Sequence, residues 1–281
     1  MKKYIIGIIL LCFALTACYD LNLSPLDASS DNNFWETESQ LRGATYVCYS
    51  IMQKDMLNFG EGCGESAMWG DPKNALNKIS SGVYPYTIQF PVSSWWNYFY
   101  QNIFYCNKFL ENYKKANISE SVKEKYAAEI KVIRALDYFY LTSLYGDVPL
   151  VTRVLSPEDP EMTAPRTPKQ EVIDYILNDL DQAAAKLGED IPTGENSGRV
   201  NKWTALGLKS RIALFNERWE IAYQAAESVM KSGKYELYNE GGHSEAYYNL
   251  FTVAANQTKG NINNKETMMA GIYKEDKRMH N

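Results

Sequence analysis

Histidine is nearly absent: the 281 residues hold two, His243 and His280. That removes a histidine-rich metal site and makes a Ser-His-Asp nucleophile system unlikely on composition alone. Basic clusters are missing too, and the net charge is −5. An acidic chain without a basic patch is not built for nucleic acid. The apolar run from Tyr4 to Ala14 falls short of the ~20 residues a membrane-spanning helix needs. No residue pattern calls for a cofactor.

The short apolar run has another reading. It follows Met1-Lys2-Lys3 and ends in Leu15-Thr16-Ala17-Cys18. A basic start, an apolar stretch and a small residue before the cut form an export signal. With Cys at the junction, the tetrapeptide resembles the lipobox of bacterial lipoproteins. Residues 1–17 are therefore expected to be removed and Cys18 to carry acyl chains, which hold firmly when there are two or more. Cleavage would leave 264 of the 281 residues and, by removing Lys2 and Lys3, take the net charge from −5 to −7. That length suits one large domain or two small ones. Beyond the lipid site, Cys48, Cys63 and Cys106 remain. Three thiols make no disulfide framework. Cys48 and Cys106 fall on apolar helical faces as small hydrophobes, whereas Gly62-Cys63-Gly64 reads as a loop.

Along the chain the pattern is helical. Residues 18–36 read as an extended tether, since Pro25 and an Asp/Ser/Asn run oppose helix. Thr37-Glu38-Ser39-Gln40 is a capping box, followed by Leu41, Ala44, Cys48, Ile51 and Met52 at helical spacing. Residues 58–92 break the pattern and form a long Gly-, Asn- and Pro-rich loop, a length that often marks function. Ser93 or Ser94 opens the next helix. Its stripe is Trp96, Phe99, Ile103, Cys106, Leu110 and Tyr113. Trp95 lies off this stripe and reads as core, with a groove-facing position as the alternative.

Ser121 to Glu124 predicts a second capping box, and Val122, Tyr126, Ile130, Ile133, Asp137, Tyr140 and Leu144 a single buried face ending at Gly146. Thr167-Pro168-Lys169-Gln170 predicts a third box with Pro at the first helical position, leading into Ile173, Ile176, Leu177, Leu180, Ala184 and Leu187. Helices from Trp203 to Phe215 and Trp219 to Met230 follow. The first is apolar on most sides and is expected to be central. Ser210, Trp219 and Ala222 sit where tetratricopeptide repeats place a small residue, an aromatic and an Ala. Residues 268–273 could form a strand. The expected fold is mostly α: a tetratricopeptide-like scaffold of helix hairpins with long irregular loops.

Several landmarks fall in order: Leu21 to Pro25, Phe34-Trp35, Trp96-x-x-Phe99-Tyr100-x-x-Ile103-x-x-x-Asn107, Arg134-Ala135 running into Leu144-Tyr145-Gly146-Asp147-Val148-Pro149-Leu150, Arg166-Thr167, and Gly198-Arg199. This set resembles the SusD/RagB family, surface nutrient-binding lipoproteins of Bacteroidota. The resemblance covers residue 18 to about residue 275. A single Asp20 follows the lipid Cys, and Gly207, Lys209 and Ala213 depart from the usual helix. Family members are about twice as long, so residues 37–281 would be the N-terminal helical domain without the C-terminal ligand-binding half.

The resemblance implies a non-catalytic role. The protein would bind oligosaccharides, or peptides in some branches, at the cell surface. It would deliver them to a SusC-like TonB-dependent transporter while held to the outer membrane by its lipid. Sugar binding asks for aromatic faces flanked by amides and guanidinium groups. By the resemblance, Trp69 and Asn74 are the ligand candidates, with Tyr84 and Tyr86 as further ones; Trp69 reads equally as a loop anchor. Arg134, Asp137 and Arg211 lie among apolar residues and are expected to be paired structurally. Asp147 is expected to tie up loop backbone. One rival is a glycoside hydrolase drawing two carboxylates from Glu61, Glu65 and Asp71. Another is a tetratricopeptide-type adaptor whose groove binds a protein. No residue is assigned a catalytic or metal-binding role.

Overall fold

Thr37 caps the first helix as its spacing predicts. Its Oγ1 accepts the Gln40 N–H at 3.3 Å, and Gln40 Oε1 accepts the N–H groups of Glu36 and Thr37, both at 2.9 Å. A computed structural model describes residues 34–52, 70, 71, 73, 75–83, 92–252 and 264–269. Among these, the helices are α1 (Glu38–Met52), α2 (Ala75–Ser80), α3 (Val92–Asn112), α4 (Glu120–Tyr145), α5 (Lys169–Ala184), α6 (Lys202–Phe215), α7 (Trp219–Lys231) and α8 (Gly242–Leu250). The described residues contain no strand; Val148 and Thr167 form an isolated antiparallel bridge. From α3 to α7, each helix packs on the next, and α1 lies across α3 and α4. The fold is mostly α, a tetratricopeptide-like stack of helix hairpins, as expected. The proposed leader (residues 1–17) and residues 18–33 of the tether expected over 18–36 lie outside the described residues, as do residues 270–273 of the suggested strand; the tether's end does not stand free, since Trp35 is buried in the core edge-on to Phe109 and Phe34 packs beside it.

The central element is α4, not α6. Every residue from Tyr126 to Phe139 except Lys131 is buried, so the single face expected for α4 is in fact a whole circumference. Leu144, placed on that face by its spacing, is exposed. Helix α6 buries Trp203, Thr204, Ala205, Ile212 and Ala213, and its last two residues, Leu214 and Phe215, lie exposed. Apolar content therefore misjudged which helix sits inside. Small residues on α4 (Ala127, Ala128 and Ala135) let neighbours approach, and its polar residues find partners on them.

Two predicted caps are corrected. Ser121 lies within α4; Ser119 holds the cap position, with no side-chain capping bond. Glu124 instead accepts the Tyr113 hydroxyl at 2.8 Å. At α5, Pro168 is the N-cap and Thr167 is spent on the bridge to Val148, its Oγ1 accepting from the Leu150 N–H. The cap comes from elsewhere: Asp147 Oδ1 accepts the Lys169 N–H at 2.8 Å, the loop-tying role expected of it. Gly146 ends α4 at φ 71°, a left-handed conformation that strains any side chain but suits glycine. The apolar face of α5 is as predicted, with Ile173, Ile176, Leu177, Leu180, Ala184 and Leu187 all buried. Ser210 Oγ donates to the Ala222 carbonyl at 2.9 Å, closing the α6/α7 hairpin at its small-residue contact.

Charged residues on α4 are paired across helices. Arg134 donates to Asp179 Oδ2 of α5 at 2.6 Å and to Asn107 Oδ1 of α3 at 2.8 Å. Asp137 accepts from Asn102 Nδ2 of α3 at 2.9 Å. Arg211, grouped with them by sequence, is exposed instead. Burial pushes the Asp137 carboxyl well above the usual carboxylate range, the neighbouring Cys48 adds to this, and the Asn102 hydrogen bond opposes it.

Replacing Asp179 by Asn or Ala leaves the Arg134 charge uncompensated in the core. Chemical denaturation should show a loss of about 3–5 kcal/mol. Asp137 behaves oppositely. Its raised native pKa stabilises the fold below the ordinary carboxylate pKa, and that contribution is lost as pH rises through the native value. Asp137→Asn should therefore be more stable than the parent at pH 8, with the gap closing towards pH 4. Denaturation midpoints across that range check it, and a pH-independent gap would contradict it.

Candidate functional site

The stretch between α1 and α3 holds every ligand candidate named from the sequence. Trp69, Asn74, Tyr84 and Tyr86 lie outside the described residues, as do Cys18, Cys63, Glu61 and Glu65. What is described are the stretch's middle and its two roots. Residues 70, 71 and 73 are exposed. Asp71 Oδ1 accepts the Lys73 N–H at 2.9 Å, closing a local turn just before α2. This short helix was not predicted, since the sequence shows only an aperiodic run. Gly82, at φ 71°, turns the chain out of it. Of the carboxylates considered for hydrolysis, Asp71 alone is described.

The C-terminal root is the first turns of α3. Trp95 is buried, as expected of core. Trp96 is half-buried, and its ring meets three neighbours. Tyr100 lies tilted at 4.9 Å, Tyr145 meets it edge-on at 5.1 Å, and the Arg166 guanidinium sits over it at 5.4 Å. Arg166 Nη1 also donates to the carbonyls of Tyr145 and Asp147. The Tyr100 hydroxyl donates to the Pro149 carbonyl at 2.8 Å, and burial raises its pKa. The Trp-led helix is thus clamped to the Leu144–Leu150 segment. Two of the ordered landmarks are thus in direct contact.

The N-terminal root is α1, held by Arg199. Its guanidinium lies against the rings of Tyr46, Tyr49 and Tyr126 at 5.5, 5.3 and 5.4 Å. It pairs with Glu129 of α4 at 2.6 Å and donates to Thr45 Oγ1 at 2.8 Å. Tyr49 donates to Glu129 at 3.0 Å and accepts the Val200 N–H at 3.0 Å. Burial raises the Glu129 pKa despite Arg199 beside it, and pushes the Tyr49 phenol well up. Arg42 adds an ion pair to Glu195 at 3.5 Å. Sequence reasoning did not assign this network. Its members lie far apart in the chain, and only Gly198-Arg199 stood out, as part of a landmark. Charged, aromatic and amide groups at both roots serve the frame, and they hold the ends of the candidate loop still.

Among the described residues, no group of three His, Cys, Asp or Glu side chains is suited to a metal. No described helix is long and apolar enough to cross a membrane.

Comparison with known proteins agrees with this architecture. Residues 26–214 match the SusD-like family described as starch-binding and associating with the outer membrane. A SusD-like protein of Bacteroides ovatus is 25% identical over 298 residues, covering 96% of this chain and 50% of the relative. The SusD-like protein P25 of Formosa agariphila is also 25% identical, covering 83% of this chain and 47% of its own length. This chain spans about half the length of these relatives. Among solved structures, a SusD-like protein from Bacteroides fragilis superposes with a TM-score of 0.76 at 28% identity, over 90% of this chain and 48% of that one. A laminarin-binding SusD-like protein gives a TM-score of 0.61 at 26% identity, over 69% and 44% respectively. With the family match covering most of the chain and the same helical frame found in its relatives, this protein belongs to the SusD-like family.

Proposed function

We propose that this chain captures an oligosaccharide at the outer membrane and passes it, chemically unchanged, to a SusC-like TonB-dependent transporter. The observation that carries this reading is the family match across residues 26–214, joined by a solved relative that binds laminarin. Cys18 is the proposed lipid anchor, residues 18–36 the tether and residues 37–281 the helical domain. The loop between α1 and α3 is the proposed ligand surface, with Trp69 supplying a stacking face and Asn74 an edge-on amide; Tyr84 and Tyr86 extend it. Loops positioned by a rigid scaffold are where binding residues concentrate. Both roots of this one are immobilised, by the Trp96–Arg166 clamp and by the Arg199–Glu129 pair. Capture needs affinity and release only, so no proton donor or nucleophile is required of the site.

Calorimetric titration of the Cys18→Ala protein with laminarin oligosaccharides, other glycans and peptides tests the proposal. Saturable binding of a glycan without turnover is expected. Exclusive peptide binding would move the chain to a different ligand class, and hydrolysis of the glycan would end the non-catalytic reading.

Two substitutions separate site from frame. Trp69→Ala should weaken glycan binding at least tenfold and leave the melting temperature unchanged; a fold-wide loss of stability would make Trp69 a loop anchor. Trp96→Ala should lower stability by about 3 kcal/mol, because it removes the ring on which Tyr100, Tyr145 and Arg166 pack.

A further inference from the structure

Helix α3 carries no charged residue from Val92 to Asn107, although it reaches the surface of an acidic chain. The exposed positions in that span are Ser93, Asn97, Gln101 and Phe104, the last 43% exposed. They recur at spacings of four, four and three, so they form one stripe along the helix. Other helices turn charge to solvent in the ordinary way. Helix α5 exposes Glu171, Asp174 and Asp181, and α4 exposes Glu120 and Lys125. On α3 charge returns only beyond the stripe, at Lys108 and Glu111. Glu111 is engaged there, accepting the Val154 N–H at 2.7 Å, and the preceding residue Arg153 pairs with Asp159 and Glu161.

The amides of α3 divide by face. Those turned inward serve the fold: Asn102 donates to Asp137, and Asn107 donates to the carbonyls of Val151 and Arg153 and accepts from Arg134. The outward side-chain amides of Asn97 and Gln101 meet no hydrogen-bonding partner among the described residues. Each offers one acceptor oxygen and two N–H donors. The Phe104 ring follows them, in T-shaped contact with Tyr105 at 5.4 Å. From Asn97 to Phe104 the stripe runs about 10 Å along the helix axis.

We propose that this stripe is an accessory subsite for the oligosaccharide, taking the sugar units that extend past the candidate loop. The inference rests on the reading of the chain as a glycan-capture protein. Two features select a neutral sugar chain as the occupant. The first is continuity. The stripe begins in the first turn of α3, where the candidate loop ends, so one extended ligand can touch both. The second is chemistry. A neutral sugar presents hydroxyl groups that donate and accept, which amides match, and C–H faces, which an aromatic ring matches. An acidic or phosphorylated ligand would call for Arg or Lys, and the stripe has neither. Contacts this open to solvent each contribute little. Their effect is a gain in affinity with ligand length, because a chain already held by the loop meets the stripe at high effective concentration.

Calorimetric titration of the Cys18→Ala protein with laminarin oligosaccharides of increasing length tests the subsite. Affinity for the parent should rise with chain length. In the double variant Asn97→Ala/Gln101→Ala, affinity for long chains should fall about tenfold, the effect of two net hydrogen bonds, while short chains bind as they do to the parent. Phe104→Ala should show the same length-selective loss. The two amides hold nothing in the fold, so the double variant should keep the parent melting temperature, and it decides alone if Phe104→Ala is unstable. Unchanged affinity of the double variant for long chains overturns the subsite and leaves glycan capture standing. An equal loss for short and long chains also overturns it, since the stripe would then belong to the main site. A parent chain that binds no glycan overturns the capture reading and the subsite with it.

Discussion

A positive charge buried inside α4 constrains most of the surrounding packing. Arg134 is 4% exposed, and its guanidinium reaches Asp179 on α5 and Asn107 on α3. A buried charge without partners costs several kcal/mol, so these helices must dock where the bonds can be made. Hydrophobic burial alone would accept many rotations of α4. The same helix makes two further polar connections, Asp137 to Asn102 of α3 and Glu129 to Tyr49 of α1 and Arg199 before α6. Together they set the rotation and axial position of α1, α3 and α5 around one submerged helix. Such pairs add little net stability over an apolar core of the same shape. Their effect lies in the penalty on every other arrangement.

Irregular chain is held by the same device. The segment between Gly146 and α5 has no α-helix or strand, only the Val148–Thr167 bridge and a 3-10 turn at Pro160–Thr163. Its backbone is met by side chains instead. The Tyr138 hydroxyl accepts the Val151 N–H and donates to the Val151 carbonyl, both at 2.8 Å, and Asn107 Nδ2 donates to the carbonyls of Val151 and Arg153. Tyr100 takes the Pro149 carbonyl and Asp147 caps α5. Backbone groups away from water need partners, and a loop without a ladder takes them from helices. This gives the Leu144–Leu150 landmark a physical meaning: it is the strap on which α3, α4 and α5 are registered.

A stiff frame with one long excursion suits a binding protein. Aromatic and guanidinium groups in the frame are engaged with one another, as the surroundings of Trp96 and Arg199 show.

Much of this was legible in sequence. Helical spacing located α1, α3, α5, α6 and α7, the Thr37 box marked a true helix start, and Gly146 marked a true end, because these depend on neighbours within a turn of chain. The ordered landmarks pointed to the family. Ser121 and Thr167 were misread as caps because each has the right spacing while a better partner lies elsewhere. At α5 that partner is Asp147, 22 residues before Lys169. The α2 helix left no periodic trace in its six residues. Sequence by itself determined the helical class, most of the helices and two of the buried charged residues, Arg134 and Asp137. Tertiary structure decided that α4 rather than α6 is the core, and which residue each charge would meet. Local pattern is written in spacings of three and four, whereas partners such as Arg134 and Asp179 meet only when the helices between them have already packed.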